Sequence, residues 1–144
     1  MIRKTCIASL LALLLLLSGC FSRHYKIRLL HDETAITKIE IGTVGELLYD
    51  HETESNYQHF TVKSTITDIE AFLAQLNDLP CTRVFSDPMS IIPGDAIKIT
   101  YENGDYELIG YMGNAEFKDG RLLGWRGYHH FDEAAFYALL ERYC

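Results

Sequence analysis

The chain has 144 residues, of which 13 are Lys or Arg and 20 are Asp or Glu, so its formal net charge is −7. This acidic balance argues against a nucleic-acid partner, because binding to phosphates depends on clustered Lys and Arg. The length suffices for one hydrophobic core and leaves no room for a second domain of ordinary size.

The first 19 residues have the layout of a secretory signal peptide. Arg3 and Lys4 form a basic start, residues 7–17 form an apolar run, and the small residues Ser18 and Gly19 follow. The run is shorter than the roughly 20 apolar residues of a membrane-spanning helix. The sequence therefore predicts that residues 1–19 are an export leader that is removed from the chain.

The end of this leader, Leu17-Ser18-Gly19-Cys20, resembles the lipobox of bacterial lipoproteins. The resemblance implies that Cys20 is acylated and becomes the first residue of the mature chain. Each buried methylene contributes about 0.8 kcal/mol, so two or more acyl chains hold a protein firmly at a membrane. We therefore expect an extracytoplasmic protein that is anchored to membrane lipid through Cys20. The alternatives are an ordinary secretory signal whose cysteine falls near the cleavage site, or a buried apolar helix.

Residues 20–34 have no clean periodicity and are predicted as a tether, which leaves 35–144 as a single globular domain. Arg23, Lys26 and Arg28 lie next to the lipid, whereas acidic residues dominate from Asp32 onward. These cations suit anionic lipid headgroups, with about 1 kcal/mol for each cation near such a surface. They also suit a solvated linker, and the two interpretations are compatible.

Four cysteines are present, and two of them are predicted to form a disulfide. Cys6 leaves with the leader and Cys20 carries the lipid, so Cys81 and Cys144 remain. Thiols of exported proteins tend to be oxidised. We expect a bridge between Cys81 and Cys144, for which chain entropy predicts about 4 kcal/mol of stabilisation. The alternative is two separate thiols, buried or reactive.

The first part of the domain is predicted to contain short strands. Alternating apolar and charged residues indicate a half-buried strand at 35–42, and Gly42 and Gly45 separate it from a second short strand at 46–49. The acidic run 50–56 is predicted as a loop, and a further strand follows at 60–64.

Two segments have the periodicity of amphipathic helices. In the first, Thr67 and Glu70 form a capping box and Pro80 ends the helix. In the second, Asp132 is the expected N-cap and Glu133 lies in the first turn. Apolar residues recur at spacings of 0, 3, 4 and 7 in both: Ile69, Phe72, Leu73 and Leu76 in the first, and Phe136, Leu139, Leu140 and Tyr143 in the second.

Two hairpins are predicted around glycine-containing turns. Asn103-Gly104 suits a two-residue type I′ turn between strands at 96–101 and 106–112. That register pairs Tyr101 with Tyr106 and places Glu107 on the polar face of the hairpin. Asp119-Gly120 marks a second hairpin, between strands at 115–118 and 121–125.

These elements predict an α+β fold, in which an antiparallel sheet of about five to seven strands has both amphipathic helices packed on one face. The order of strand, capped helix, Asn-Gly hairpin, Asp-Gly hairpin and terminal helix over residues 36–143 resembles the small extracytoplasmic domains of uncharacterised bacterial lipoproteins. This resemblance supports the fold and implies no activity.

A candidate binding patch precedes the last helix and contains Trp125, Arg126, Tyr128 and His129. Trp, Tyr and Arg are over-represented at binding hot spots, because large rings and a planar cation give much contact for little lost entropy. The competing interpretation is that Trp125, Tyr128 and Phe131 alternate into the core while their neighbours face water.

No catalytic, cofactor-binding or metal-binding motif stands out in the sequence. We therefore predict a non-catalytic, cofactor-free binding module of the cell envelope, whose acidic surface favours a basic protein or a cell-wall component as its partner. The alternative is a small envelope hydrolase or metal-dependent factor that uses His51, Glu52, His129 or His130.

Overall fold

Six antiparallel strands form the main sheet of the computed structural model, which describes residues 26–52, 55–83, 93–126 and 129–144. The strands in chain order are β1 (Ile36–Asp50), β2 (Ser55–Thr65), β3 (Cys81–Arg83), β4 (Gly94–Tyr101), β5 (Tyr106–Gly110), β6 (Gly113–Lys118), β7 (Arg121–Arg126) and β8 (His129–Phe131). The main sheet has the order β2-β1-β4-β5-β6-β7, and β3 pairs with β8 in a separate two-stranded sheet.

Two α-helices accompany the sheet, α1 (Ile69–Asp78) and α2 (Glu133–Glu141), and a short 3₁₀ helix (Glu33–Ala35) precedes β1. Together with the antiparallel strands they confirm the predicted α+β class. Among the helices that the structure describes, none combines the length and the apolar character that crossing a bilayer requires.

The larger hydrophobic cluster contains residues of the sheet and of both helices. Its fully buried helical rings, Phe72 and Phe136, each stabilise the fold by about 1.5–3 kcal/mol through removal from water. Both helices therefore bury the apolar stripes that their periodicity predicted. The main members are Ile39, Ile41, Ile97, Ile99 and Ile109 from the strands, and Phe72, Leu73, Leu76, Phe136, Leu139 and Leu140 from the helices.

A smaller cluster is formed by strand residues alone. It arises because successive side chains of a strand point to opposite faces, so that Ala96 and Ile97 belong to different clusters. The two edge strands, β2 and β7, also contact each other, which shows that the sheet is curled. The buried members are Val44, Ala96, Leu108, Ala115 and Phe117, with Phe60, Tyr106 and Leu122 packed against them.

Strand β1 is continuous over 15 residues, whereas the sequence predicted two short strands. The β1–β2 register shifts between Ile41 and Gly42 and again between Val44 and Leu47, so both glycine regions are absorbed as irregularities within the strand. A Cβ on Gly42 would lie 2.2 Å from the Thr61 carbonyl oxygen, so the close approach of the two strands requires glycine there.

The β4–β5 hairpin exists as predicted, but the predicted two-residue turn is wrong. The Tyr101 N–H donates to the Asp105 carbonyl at 2.9 Å, and the Gly104 N–H donates to the Tyr101 carbonyl at 3.0 Å. The loop therefore has three residues, with Gly104 at φ +85°. Ile99 consequently lies opposite Glu107. Because a slip of one residue exchanges the two faces of a strand, Glu107 is in the core and not on the polar face.

The second hairpin and the last helix agree with the predictions, and the first helix differs at its cap. Lys118 pairs with Arg121 across the Asp119-Gly120 turn. Asp132 caps α2 by accepting from the Ala135 N–H at 2.9 Å.

The first helix begins one residue later than predicted, because Asp68 is its N-cap in place of Thr67. Asp68 accepts from the Ala71 N–H at 3.0 Å. A carboxylate satisfies an orphan N–H and also interacts favourably with the positive end of the helix dipole, which explains the preference for Asp68.

Part of the predicted tether packs against the domain. Ile27 is buried in the larger cluster, and Leu29 and Leu30 lie against it partly buried. Residues 27–30, which the sequence assigned to the tether, therefore contribute to the core of the folded domain. Isolated apolar residues in a short segment give no periodic signal, so the sequence did not reveal this docking.

The predicted bridge between Cys81 and Cys144 is absent from the structure, in which both thiols are free. Cys81 pairs with Phe131, just before α2 begins, whereas Cys144 lies beyond the other end of that helix. A helix of this length separates its ends by about 13 Å, at 1.5 Å per residue. Disulfides require Cα atoms roughly 4.4–6.8 Å apart, so this fold keeps the two cysteines too far apart to bond.

Candidate functional site

Glu107 is a fully buried carboxylate in the middle of β5, with 0% of its surface exposed. The Tyr101 hydroxyl donates to Oε1, the Leu30 N–H donates to the same oxygen at 3.1 Å, and Asn114 Nδ2 donates to Oε2 at 3.1 Å. We call these four residues the carboxylate cluster. It joins β4, β5 and β6 to the segment that leads in from the N-terminus.

Burial is the main influence on the protonation of this cluster. It raises the pKa of Glu107, and the hydrogen bonds from Tyr101, Leu30 and Asn114 oppose that rise. Burial, followed by the neighbouring charge of Glu107, also raises the pKa of Tyr101, so its hydroxyl stays protonated and donates. Three of the side chains are exposed by 2% or less, so a substrate cannot reach them. The cluster therefore acts as a structural clamp.

A second polar group adjoins the first and contains His31 and Asp105. His31 Nε2 lies 2.7 Å from Asp105 Oδ2, Asn103 Nδ2 donates to the same oxygen at 2.8 Å, and the Asp119 N–H donates to Oδ1 at 3.3 Å. Burial acts to raise the pKa of Asp105, but the hydrogen bonds from His31, Asn103 and Asp119 outweigh it and the pKa is lowered. Together the two groups hold residues 30–31 against the β4–β5 hairpin.

At the other end of the sheet, β1 and β2 continue beyond the other strands that the structure describes, as a two-stranded ribbon. The β1–β4 ladder ends where Val44 pairs with Gly94, whereas the β1–β2 ladder continues to the pair of Asp50 and Ser55. Pro93 precedes Gly94 and has no N–H to donate, so it is a poor continuation of the β4 ladder. We call residues 45–52 and 55–59 the ribbon.

The ribbon exposes three consecutive large side chains. Leu47 is 37% exposed, Leu48 39% and Tyr49 51%. Neighbouring residues of a strand point to opposite faces, so both faces of the ribbon present apolar surface. Contiguous exposed apolar residues of this kind are typical of interaction sites, whereas scattered ones are ordinary.

The ribbon is also acidic. Its charged residues are Glu46, Asp50 and Glu52, and its sequence contains no Lys or Arg. Asp50 Oδ1 accepts from the Glu52 N–H at 2.8 Å, which stabilises the turn at the tip. An apolar surface with a negative charge suits a partner that is both apolar and basic.

A cavity near the start of β4 offers less to a ligand. It has a volume of about 190 Å³ and is lined by Asp95, Tyr111 and Tyr137 among others. Typical ligand pockets have volumes of roughly 300–1,000 Å³ and are largely apolar. This cavity is therefore a weaker candidate for recognition than the ribbon.

The predicted binding patch lies largely outside the described residues. The backbones of Trp125 and Arg126 belong to β7, where they pair with Ala115 and Asn114, and His129 belongs to β8. Tyr128 and the side chains of the other three lie outside the described part of the chain. The patch therefore stays a prediction.

The residues considered for a metal or hydrolytic site occupy different elements. His51 and Glu52 are in the turn that ends the ribbon, whereas His130 is in β8 opposite Thr82. Among the described residues, no group of three His, Cys, Asp or Glu could hold a metal ion. Burial raises the pKa of Cys81 to about 11, so this thiol is protonated at neutral pH and is a poor nucleophile.

Sequence reasoning missed both regions, although each leaves a signal. For the carboxylate cluster, the signal is the Asp105 that follows Asn103-Gly104. Its N–H donates to Asn103 Oδ1 at 3.0 Å, and this local hydrogen bond accompanies the three-residue loop that replaces the predicted two-residue turn. In the ribbon, the run Leu47-Leu48-Tyr49 breaks the alternation of a half-buried strand.

Neither region carries a motif that identifies an activity. The carboxylate cluster holds the N-terminal segment against the sheet, and the ribbon exposes apolar side chains. The chain matches no protein-family model, no curated protein and no solved structure.

Proposed function

We propose that this chain is a lipid-anchored, non-catalytic binding module on the extracytoplasmic side of a cell membrane. Acylated Cys20 is the anchor, and a basic protein or a cell-wall component is the partner. The observation that carries the binding function is the exposed ribbon with Leu47, Leu48 and Tyr49. Full burial of a large apolar side chain is worth about 1.5–3 kcal/mol, and covering the 37–51% of each side chain that is still exposed at an interface contributes roughly a third to a half of that.

The position of the ribbon relative to the tether supports the proposal. Lys26 is the first described residue, and its Nζ lies 3.6 Å from Glu33 Oε1, close to the start of β1. The ribbon lies at the opposite end of β1. A strand rises roughly 3.3 Å per residue, so about 45 Å of strand separates Ile36 from Asp50. Six Cα–Cα steps lead from Cys20 to Lys26 and span at most about 22 Å. We infer that the ribbon projects away from the membrane.

The packing of the helices suits the same arrangement. The buried residues of α1 and α2 belong to one cluster with Ile39 and Ile97. We infer that both helices cover the same face of the sheet. Because the core lies between that face and the helices, β1 and β2 can extend beyond the sheet without any loss of core contacts.

The anchor is tested by labelling cells with radioactive palmitate. We expect label on the wild-type chain and on a Cys6→Ser variant, whose altered residue leaves with the leader. The Cys20→Ser variant should carry none, because it lacks the acceptor thiol. Label retained in Cys20→Ser, or a native chain recovered from the cytosol, would refute the anchor.

The binding function is tested by photo-crosslinking in the native host. A benzophenone amino acid at Tyr49 should give a discrete crosslinked product, whereas the same group at Glu102, exposed in the β4–β5 turn, should not. Stoichiometric zinc in the purified chain, lost on changing His51 and His130 to Ala, would instead favour the metal-dependent alternative.

A further inference from the structure

We infer that the ribbon binds an extended, basic segment of a partner protein, which adds to the free edge of β1 as a further strand. This inference rests on the proposed binding function and names the chemistry and the geometry of the partner. It draws on three features of the ribbon: its backbone edge, its alternating apolar side chains and its charge.

In the part of the chain that the structure describes, the backbone edge of β1 beyond Val44 has no partner on the β4 side. Residues 47–49 of β1 pair with β2 on one side, while the last residue that β4 pairs with is Val44. On the β4 side, the described part of the chain places no strand beside residues 46–49. Such an edge presents N–H and C=O groups at the spacing of a ladder, and an extended peptide can complete it.

The side chains of the ribbon are the second feature, because they can contact an added strand on both of its faces. Leu47 and Tyr49 alternate with Leu48 along β1, and all three are exposed. A strand laid beside them brings its own alternate side chains next to these three. An apolar residue at every second position of the partner therefore matches Leu47 and Tyr49 on one face, and a basic residue between them lies on the other face, beside Leu48 and Asp50.

Charge selects among the possible occupants. Glu46, Asp50 and Glu52 give the ribbon a negative charge without a Lys or Arg. A second copy of the ribbon, or an anionic membrane surface, would bring like charges together. Residues 84–92 of the same chain contain one Asp and no basic residue, so they offer no complementary charge. A basic partner strand is the occupant that fits.

The inference is tested with a fluorescent peptide of alternating Lys and Val, titrated with the full lipidated chain in uncharged detergent micelles. We expect saturable anisotropy changes that weaken as salt is added, because exposed charge pairs are screened. A matched peptide of Glu and Val should bind at least about tenfold more weakly, since its charges repel the ribbon.

Strand addition is tested separately by methylating backbone nitrogens of the Lys-Val peptide. Methylation on one edge should abolish binding, and methylation on the opposite edge should leave it intact, because only one edge of an added strand bonds to β1. Equal effects of the two methylation patterns would overturn strand addition.

Protein variants locate the site. Each of the single variants Glu46→Lys and Glu52→Lys should weaken binding of the Lys-Val peptide, and the two together at least about tenfold. Glu102→Lys, a single charge reversal of the same size at the other end of the sheet, should not weaken it. Circular dichroism of each variant establishes that the fold is kept.

Several results would overturn the inference. These are equal affinity for the Lys and Glu peptides, no effect of the ribbon charge reversal, or a concentration-dependent dimer that Leu48→Ser dissolves. A failed peptide titration combined with a discrete crosslink from Tyr49 would refute the basic strand and leave the binding function standing. Loss of both would refute the two proposals together.

Discussion

The carboxylate cluster and the ribbon depart from the usual arrangement of polar and apolar residues in opposite directions. The cluster buries the carboxylate of Glu107, and three hydrogen-bond donors compensate for its lost hydration. The ribbon exposes Leu47, Leu48 and Tyr49. A buried polar group with its partners in place is explained by the fold itself, whereas an exposed apolar run points to a molecule outside it.

The two regions also differ in what they connect. The cluster joins residues far apart in the chain, since Leu30 and Glu107 are separated by 77 positions. The ribbon is made of two strands that follow each other directly. Substitutions in the cluster should therefore affect stability, and substitutions in the ribbon should affect binding.

The largest effect is expected from Glu107→Ala. It leaves the Tyr101 hydroxyl, the Leu30 N–H and the Asn114 amide without their acceptor, so we expect a loss of about 3–5 kcal/mol in the free energy of unfolding. Glu107→Gln keeps one acceptor oxygen and should lose less. Urea denaturation measures both, and Glu102→Ala, an exposed residue of the same hairpin, is the control. A loss for Glu107→Ala as small as that of the control would contradict the clamp.

A smaller loss is expected at Gly42, where the ribbon side of β1 meets the body of the sheet. The added Cβ of Gly42→Ala would approach the Thr61 carbonyl oxygen to 2.2 Å, and overpacking of this kind costs about 1–3 kcal/mol. Gly45→Ala is the matched control, because its Cβ would find its nearest neighbour at 3.7 Å. If Gly42→Ala and Gly45→Ala unfold at the same urea concentration, β1 can shift to accommodate a Cβ at position 42.

The pH dependence of stability separates Glu107 of the carboxylate cluster from Asp105 of the adjoining polar group. The pKa of Glu107 is raised above 4.5, so its contribution is complete below pH 4.5 and is lost as the pH rises through the folded-state pKa. The pKa of Asp105 is lowered below 3.8, so its contribution is present above pH 3.8 and is lost as the pH falls through its folded-state pKa. Urea midpoints measured across the acidic and neutral range test both effects. In Glu107→Gln, the midpoint should no longer fall as the pH rises through the folded-state pKa of Glu107. In Asp105→Asn, it should no longer fall as the pH drops through the folded-state pKa of Asp105. Unchanged profiles would show that neither group is shifted.

The smallest change in stability is expected from the ribbon. Leu47→Ser, Leu48→Ser and Tyr49→Ser should each lower the free energy of unfolding by about 1 kcal/mol or less, because each side chain leaves more than a third of its surface in water. Leu108→Ser is the contrast, since Leu108 is fully buried and its replacement leaves a cavity and a buried hydroxyl. A loss in the ribbon as large as that at Leu108 would erase the distinction between the two regions.

Local signals predicted much of the fold correctly. The stripes of α1 and α2, the Asp132 cap and the Asp119-Gly120 hairpin are short-range features, and each is present. The candidate sites were harder to predict. Glu107 was assigned to the polar face because the turn before it was read one residue too short, and the ribbon was divided into a short strand and a loop.

Sequence alone determined that the two helices and the Asp119-Gly120 hairpin form, because capping, helical periodicity and glycine-containing turns act within a few residues. It also supplied the prediction of an export leader and of an acylated Cys20. The tertiary structure decided the rest: the register that buries Glu107, the docking of Ile27 and Leu30, and the separation of Cys81 from Cys144. Those outcomes depend on which distant segments meet, and a shift of one residue in a strand reverses which side chains are buried.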